Sequence, residues 1–346
     1  MFDFLMKPKT NTKYDIVSVG DTTIDAFIEL HEASVHCGVN HHDCQLSLSY
    51  ANKIPYESLV MLPAGNSTNN AVGSARLGMK NAFVAAVGDD DRGATIIREL
   101  KAEGIDTQYI KVNKGVQTNF HFVLVFRGER TILIKHNKFQ YHLPEHLSTD
   151  WIYFSSMADH TESFHRQFAT FLKNNPKIKL AFNPGTFQMR MGTKKLAGIY
   201  KACDILFLNR EEAQDVTKTQ SRDIGKLSRA MHKLGAKIAV ITDGRDGSYA
   251  SDGEKIWFMD CFPAARIEST GAGDAFGTAF TAALFYGKDI PTAMAWGTVN
   301  GGNVALFTGP HKGLQTKGQI ENYLKKHPKF KAKEYASMSL SKVNAI

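Results

Sequence analysis

No apolar run in the chain approaches the ~20 residues that a membrane helix needs; Phe120–Phe126 is far too short. Cysteine is scarce, with only Cys37, Cys44, Cys203 and Cys261, so no dense disulfide framework is expected and the setting reads as reducing and cytoplasmic. The opening residues 1–8 carry no signal-peptide pattern. There are no repeats or low-complexity segments. No Gly-x-x-x-x-Gly-Lys-Ser/Thr occurs, which argues against a P-loop NTPase.

What is present fits a globular enzyme. The 346 residues are 43% hydrophobic and 22% charged, enough for a core of useful size. The formal charge of +8 favours anionic ligands in general. The one dense basic run, residues 325–333, reads as a solvated C-terminal segment rather than a nucleic-acid tail.

The most informative stretch is residues 268–274, Glu-Ser-Thr-Gly-Ala-Gly-Asp. Gly271 and Gly273 flank Ala272, so several backbone N–H groups can turn toward one point at the start of a buried helix. Orphan N–H groups and the helix dipole both favour an anion there. Asp274 stands at the same place, where a carboxylate suits a base that deprotonates a hydroxyl beside a phosphate in transfer. Helix capping is the plainer role for such residues. Gly271, Gly273 and Gly277 also come within one residue of a dinucleotide fingerprint, which keeps a dehydrogenase as the competing enzyme class. A non-enzymatic binding module does not explain a carboxylate in an anion turn.

Residues 14–20 form an apolar strand followed by Asp21 and Asp25. Acids beyond the carboxyl end of a strand are candidates for contacting a ligand. Residues 31–61 are polar and irregular and include Cys37, His41, His42 and Cys44. Their spacing fits no standard zinc motif, and a lid or dimer insertion is the better reading. Residues 62–78 make a small polar loop that enters a helix closed by Gly78. The amides of Asn69 and Asn70 both donate and accept, which suits sugar hydroxyls. The acidic triplet Asp89, Asp90 and Asp91 reads as a turn with helix N-terminal charges. Apolar strands around residues 127–130 predict a hairpin. Further short strands alternate with helical segments, which predicts a mostly parallel sheet covered on both faces. Asn209 and Glu212, three apart after a strand, can reach phosphates and a magnesium shell or form a capping box. Thr242, Gly244 and Gly247 make a strand-end turn open to close approach by a nucleotide.

Together these segments resemble the ribokinase-like (PfkB) family of carbohydrate and nucleoside kinases. The resemblance spans roughly residues 15–314. Residues 63–78 look like the family's Gly-Gly…Asn motif and residues 268–274 like its Asp-Thr-x-Gly-Ala-Gly-Asp motif. It implies an α/β fold: a three-layer αβα sandwich with a mostly parallel central sheet and a small β-lid. The kinase domain would cover 14–320, with lid segments near 27–62 and 112–137 and a basic segment over 321–346. The implied activity moves the γ-phosphoryl group of ATP to a hydroxymethyl group of a sugar, with a nucleoside kinase as the alternative and a dinucleotide-binding oxidoreductase as the remote one.

By position, Asp274 matches the catalytic base, and Gly271, Ala272 and Gly273 the anion hole. Asp25, Gly65, Asn66 and Asn69 fall on the acceptor side. Asn209, Glu212, Thr242, Gly244 and Gly247 fall on the ATP and magnesium side, and Asn300 resembles a nucleotide-side asparagine of adenosine-kinase-like members. Glu268, standing where the family has aspartate, is a candidate ligand of a potassium ion. Ala64 replaces the first glycine of the Gly-Gly pair, and the insertion with Cys37 and Cys44 is not a general family feature. The lid is a candidate homodimer contact. With no basic cluster evident around the acceptor, a neutral sugar or nucleoside is expected.

Overall fold

The computed structural model describes residues 12–38, 44–264 and 270–337. Among these residues the strands are, in chain order, β1 (Tyr14–Val19), β2 (Thr23–Leu30), β3 (Ser34–His36), β4 (Gln45–Ser47), β5 (Tyr56–Ala64), β6 (Asn81–Gly88), β7 (Ile110–Asn113), β8 (Phe120–Phe126), β9 (Glu129–Leu133), β10 (Thr149–Phe154), β11 (Lys179–Phe182), β12 (Ile205–Asn209), β13 (Ile238–Thr242), β14 (Ser248–Ser251), β15 (Lys255–Met259) and β16 (Lys333–Ser337). The helices are α1 (Asn66–Arg76), α2 (Asp91–Ala102), α3 (Glu162–Asn174), α4 (Thr186–Met191), α5 (Ala197–Lys201), α6 (Arg210–Thr217), α7 (Ile224–Leu234), α8 (Ala272–Phe285), α9 (Ile290–Val304) and α10 (Lys317–Lys326). No helix among the described residues is long and apolar enough to cross a membrane.

The central sheet has ten strands in the order β16-β15-β14-β13-β12-β11-β10-β1-β6-β7. Pairings from β13 through β7 are parallel, and those among β13 to β16 are antiparallel. Both faces are covered, so the parallel strands read as nearly continuous apolar runs. Alternation still sorts the side chains. Val17, Ile152 and Phe154 point to a layer that includes α3, α5, α6 and α7. Ile16, Trp151 and Tyr153 point to one built from α8, α9 and α10, with α1 and α2 continuing it over β6. The expected αβα sandwich is the observed one.

A second sheet, β5-β2-β8-β9, stands apart as the lid. Its hairpin turns at Arg127 and Gly128, both with positive φ, +52° and +77°, the geometry that matches the twist of two antiparallel strands. The lid begins earlier than expected, at Thr23, and its second part starts at Phe120. Residues 110–113 belong instead to the central sheet as β7, because Ile110 packs in the core beneath α2. The supposedly irregular 31–61 contains the hairpin β3–β4 and most of β5. Residues 39–43 lie outside the described residues, including His41 and His42. Cys37 and Cys44 are joined as a disulfide, which takes up both thiols; a reducing setting gave no reason to expect the bridge.

The basic segment over 321–346 is also corrected in its described part. It finishes α10 and supplies β16 at the edge of the central sheet. Tyr323, Leu324 and Phe330 pack against the core while the lysines around them stay exposed, so the lysine-rich composition masked an amphipathic element.

The α3 side of the core is an aromatic cluster. Phe154 sits 4.5 Å from Phe168 and 5.3 Å from Phe182, ring centre to ring centre. Phe168→Ala is expected to cost ~3–5 kcal/mol of stability, read as a lower urea midpoint. A loss under ~1 kcal/mol would mean that the cluster can collapse around the cavity.

Candidate active site

Most of the described residues nominated from sequence gather beyond the carboxyl ends of the parallel strands, together with Ser156 and Asn183, which were not nominated. Asp21 follows β1, Ser156 follows β10, Asn183 follows β11, Asn209 ends β12 and Thr242 ends β13, and all five line one cavity of about 400 Å³. The chain departs from β1 in opposite directions along the sheet, to β6 on one side and β10 on the other, and such a switch point leaves a crevice. The lid closes it from above: Asp25 on β2, His121 on β8 and Arg130 on β9 line the same cavity.

Asp274 lies in the first turn of α8 and is 8% exposed. Gly271 caps this helix at φ +76°, and a Cβ there would meet Pro310 at 2.4 Å, so only glycine fits the turn. Burial raises the Asp274 carboxyl to about 6; the Asn69 amide and the Arg130 charge oppose that rise. Asn69 Nδ2 donates to Asp274 Oδ2 at 2.7 Å, and Asn69 Oδ1 lies 3.0 Å from His311 Nε2. Burial lowers His311 to about 4, helped by Arg76, so its ring is neutral near pH 7. The tautomer with hydrogen on Nε2 donates to Asn69 and thereby fixes which end of that amide faces the carboxylate.

Asp21 and Asp25 are both 6% exposed. His136 Nδ1 stands 3.3 Å from Asp21 Oδ2, and His121 Nδ1 3.2 Å from Asp25 Oδ1. Neither contact has hydrogen-bond alignment: those two oxygens, His136 Nδ1 and His121 Nε2 are buried without a hydrogen-bond partner. Tyr141 donates to the other oxygen of Asp21. Unsatisfied polar atoms of this kind are costly unless a ligand supplies the missing bonds. Gly65 and Asn66 line the cavity as expected. Asn70 does not; it accepts from Ser18 and donates to Thr278, tying α1 to β1 and α8.

A second cavity of about 390 Å³ adjoins the first and shares Arg130, Asn209, Thr242, Gly273 and Phe276 with it. Thr242, Gly244, Gly247 and Ala272 line it. Asn209 and Glu212 form a reciprocal capping box at the start of α6 while still lining the first cavity. Burial raises Glu212. Asn300 is corrected: its amide donates to the Ala275 carbonyl and accepts from Gln315 N–H. It is fully buried and spent on packing. Thr298, Gly301 and Gly302, on another face of α9, and Ala305 just after it line the cavity instead. The Glu268 carboxylate lies outside the described residues. Asp90 caps α2, accepting from Gly93 N–H, as expected of the acidic turn.

Sequence reasoning missed His121, Arg130, His136, Phe187 and His311. The register of β8 against β2, which sets His121 beside Asp25, has no local signal. His311 lies 242 residues from its partner Asn69.

Residues 15–316 match the sequence profile of the family described as pfkB family carbohydrate kinase. A 5-dehydro-2-deoxygluconokinase of Geobacillus kaustophilus is 28% identical over 291 residues, covering 76% of this chain and 84% of the relative. A nucleoside kinase of Methanothermobacter thermautotrophicus is 28% identical over 309 residues, covering 87% and 91%. Among solved structures, Arabidopsis thaliana ribokinase complexed with ribose and ATP superposes with a TM-score of 0.73 at 20% identity, covering 91% of this chain and 99% of the other.

The buried Asp274 and His311 titrate in opposite senses. Folding raises Asp274 from its ordinary 3.8, so the stability it contributes falls as pH rises from about 4 to about 6. Folding lowers His311 from 6.5, so its contribution rises as pH climbs from about 4 to 6.5. The two largely offset one another in the wild type. Asp274→Asn removes only the first, and should gain roughly 2 kcal/mol on the wild type between pH 4 and 6.5 in urea unfolding. Parallel stability–pH curves for the two proteins would show that the carboxyl is not perturbed.

Proposed function

Because the chain belongs to the pfkB family of carbohydrate kinases, we infer that the two adjoining cavities hold acceptor and ATP on either side of Asp274. The enzyme is a carbohydrate kinase that uses ATP and Mg2+. The observation that carries the site assignment is the buried Asp274 carboxylate, raised to about 6, at the helix N-terminus where the cavities meet.

In this reading Asp274 takes the proton from the acceptor's hydroxymethyl group. The freed oxygen forms a bond to the γ-phosphorus, the bond between that phosphorus and the β,γ-bridging oxygen breaks, and ADP leaves with the electron pair. The backbone N–H groups of Gly271, Ala272 and Gly273 meet charge on the transferring group, with Arg130 reaching in from the lid. Asp25 and Asn69 orient the acceptor, and Asp21 with Gly65 and Asn66 borders it. The turn of Thr242, Gly244 and Gly247 receives the nucleotide.

Among the described residues no three acids, histidines or cysteines are grouped to hold a metal. That suits magnesium, which binds through phosphates and waters with few protein ligands. Glu212, beside Asn209, would hold its water shell, and the ion would neutralise phosphate charge. The cytoplasm, where ATP is abundant, is the compartment we assign.

The nucleoside-kinase relative keeps a nucleoside as the alternative acceptor. The outer lid face is apolar, with Leu59, Met61, Phe122 and Leu133 each 43–53% exposed, and among the described residues β5 and β9 are the edges of this sheet. A second copy offers the same apolar face, so a two-fold lid-to-lid contact would bury both. Light scattering of the full chain should show a dimer that Met61→Lys with Phe122→Lys converts to monomer; a monomeric wild type at high concentration refutes the contact.

Asp274→Asn should keep the fold and ATP binding and lower kcat by ~10²–10⁴-fold, in an assay of ADP release with a sugar acceptor. Wild-type turnover should fall on the acid side with a midpoint near the raised carboxyl value, about 6. A folded variant with near wild-type turnover would return Asp274 to helix capping.

A further inference from the structure

The acceptor cavity does not end at the lid. A third cavity of about 380 Å³ shares Ile134, His136, Thr186 and Phe187 with it. Phe187, on α4, packs edge-on against His136 at 5.5 Å, and Arg190, one turn further on, lies 5.8 Å from its ring. Past this aromatic pair the lining changes character. Lys138 and Arg190, both exposed, join the lining together with His160 and one acid, Asp159. Asp159 is already turned to its own backbone, accepting from His160 N–H at 3.0 Å. Neither Lys138 nor Arg190 is paired with a carboxylate among the described residues.

The geometry points to an acceptor that is a sugar with an anionic group, carboxylate or phosphate, at the end remote from the phosphorylated hydroxymethyl. Its hydroxyls lie against Asp21, Asp25 and Asn69; its far end passes His136 and Phe187 and meets Lys138 and Arg190. A neutral sugar would leave these two exposed cations to water, whereas an anion forms charge-assisted bonds with both. The expectation of a neutral acceptor rested on finding no basic cluster in the sequence. The fold brings Lys138, after β9, and Arg190, on α4, to one cavity.

This inference rests on the kinase reading, and the experiment separates the two. ADP release would be followed for the full chain with D-fructose, D-fructose 6-phosphate and D-gluconate, the last two distinguishing phosphate from carboxylate. Ligand-dependent thermal shifts would be recorded in parallel, which need no turnover. At least one anionic acceptor should exceed D-fructose in kcat/KM. The double variant Lys138→Ala, Arg190→Ala should lower the anionic-to-neutral ratio by roughly 10–100-fold, chiefly through KM, and shrink the thermal shift given by that anion. Turnover of D-fructose above both anions overturns the inference and leaves the kinase reading standing. So does an unchanged ratio in the double variant. Absence of ADP release with every acceptor counts against the kinase reading; the thermal shifts then decide the inference, and shifts equal in wild type and variant overturn it.

Discussion

A single buried carboxylate sets the terms for the rest of the site. Asp274 is removed from water by α1, α8 and the lid, and a carboxylate so placed needs either a proton or a partner. Asn69 supplies the partner, and His311 fixes the orientation of Asn69. The three residues come from α1, α8 and the loop after α9, so the carboxylate is right only when the helical layer beneath it is fully packed. The small residues of α8 and α9, which look unremarkable in composition, allow that packing.

Much of this was legible in the sequence because it rests on local rules. Gly271 and Gly273 announce a turn that only glycine fits at its first position, and Asp274 follows within the same helical turn. The alternation of short apolar strands with helices predicts a covered parallel sheet, and the charged hairpin around Arg127 and Gly128 is visible as two apolar runs and a turn. Asp90, Asn209 and Glu212 likewise sit where capping rules place them.

What was not legible depends on contacts between distant segments. Asn300 resembles a ligand residue, yet it lies on the face of α9 that meets α8, and a rotation of one helical step decides between cavity and core. The lysines at 325–333 hid Tyr323 and Phe330, whose burial makes α10 and β16 part of the sandwich. The pairing of Lys138 with Arg190 at one cavity has no sequence signature, because each residue alone is an ordinary surface charge. They meet only when the segment after β9 and helix α4 come together.

The three-residue connection from β1 into β2 has a kinetic consequence. Asp21 belongs to the core side of this junction and Asp25 to the lid side. An acceptor that bonds both carboxylates spans the joint like a crossbar. Its binding energy is therefore shared between grip and closure, and it favours the closed arrangement by the difference in its affinity for the two. On the proposed reading ATP would sit on strand ends and helices of the core and meet the lid through Arg130, which lines both cavities. Closure would then be driven more by the acceptor, which bridges the joint, than by the nucleotide, which stays on the core side.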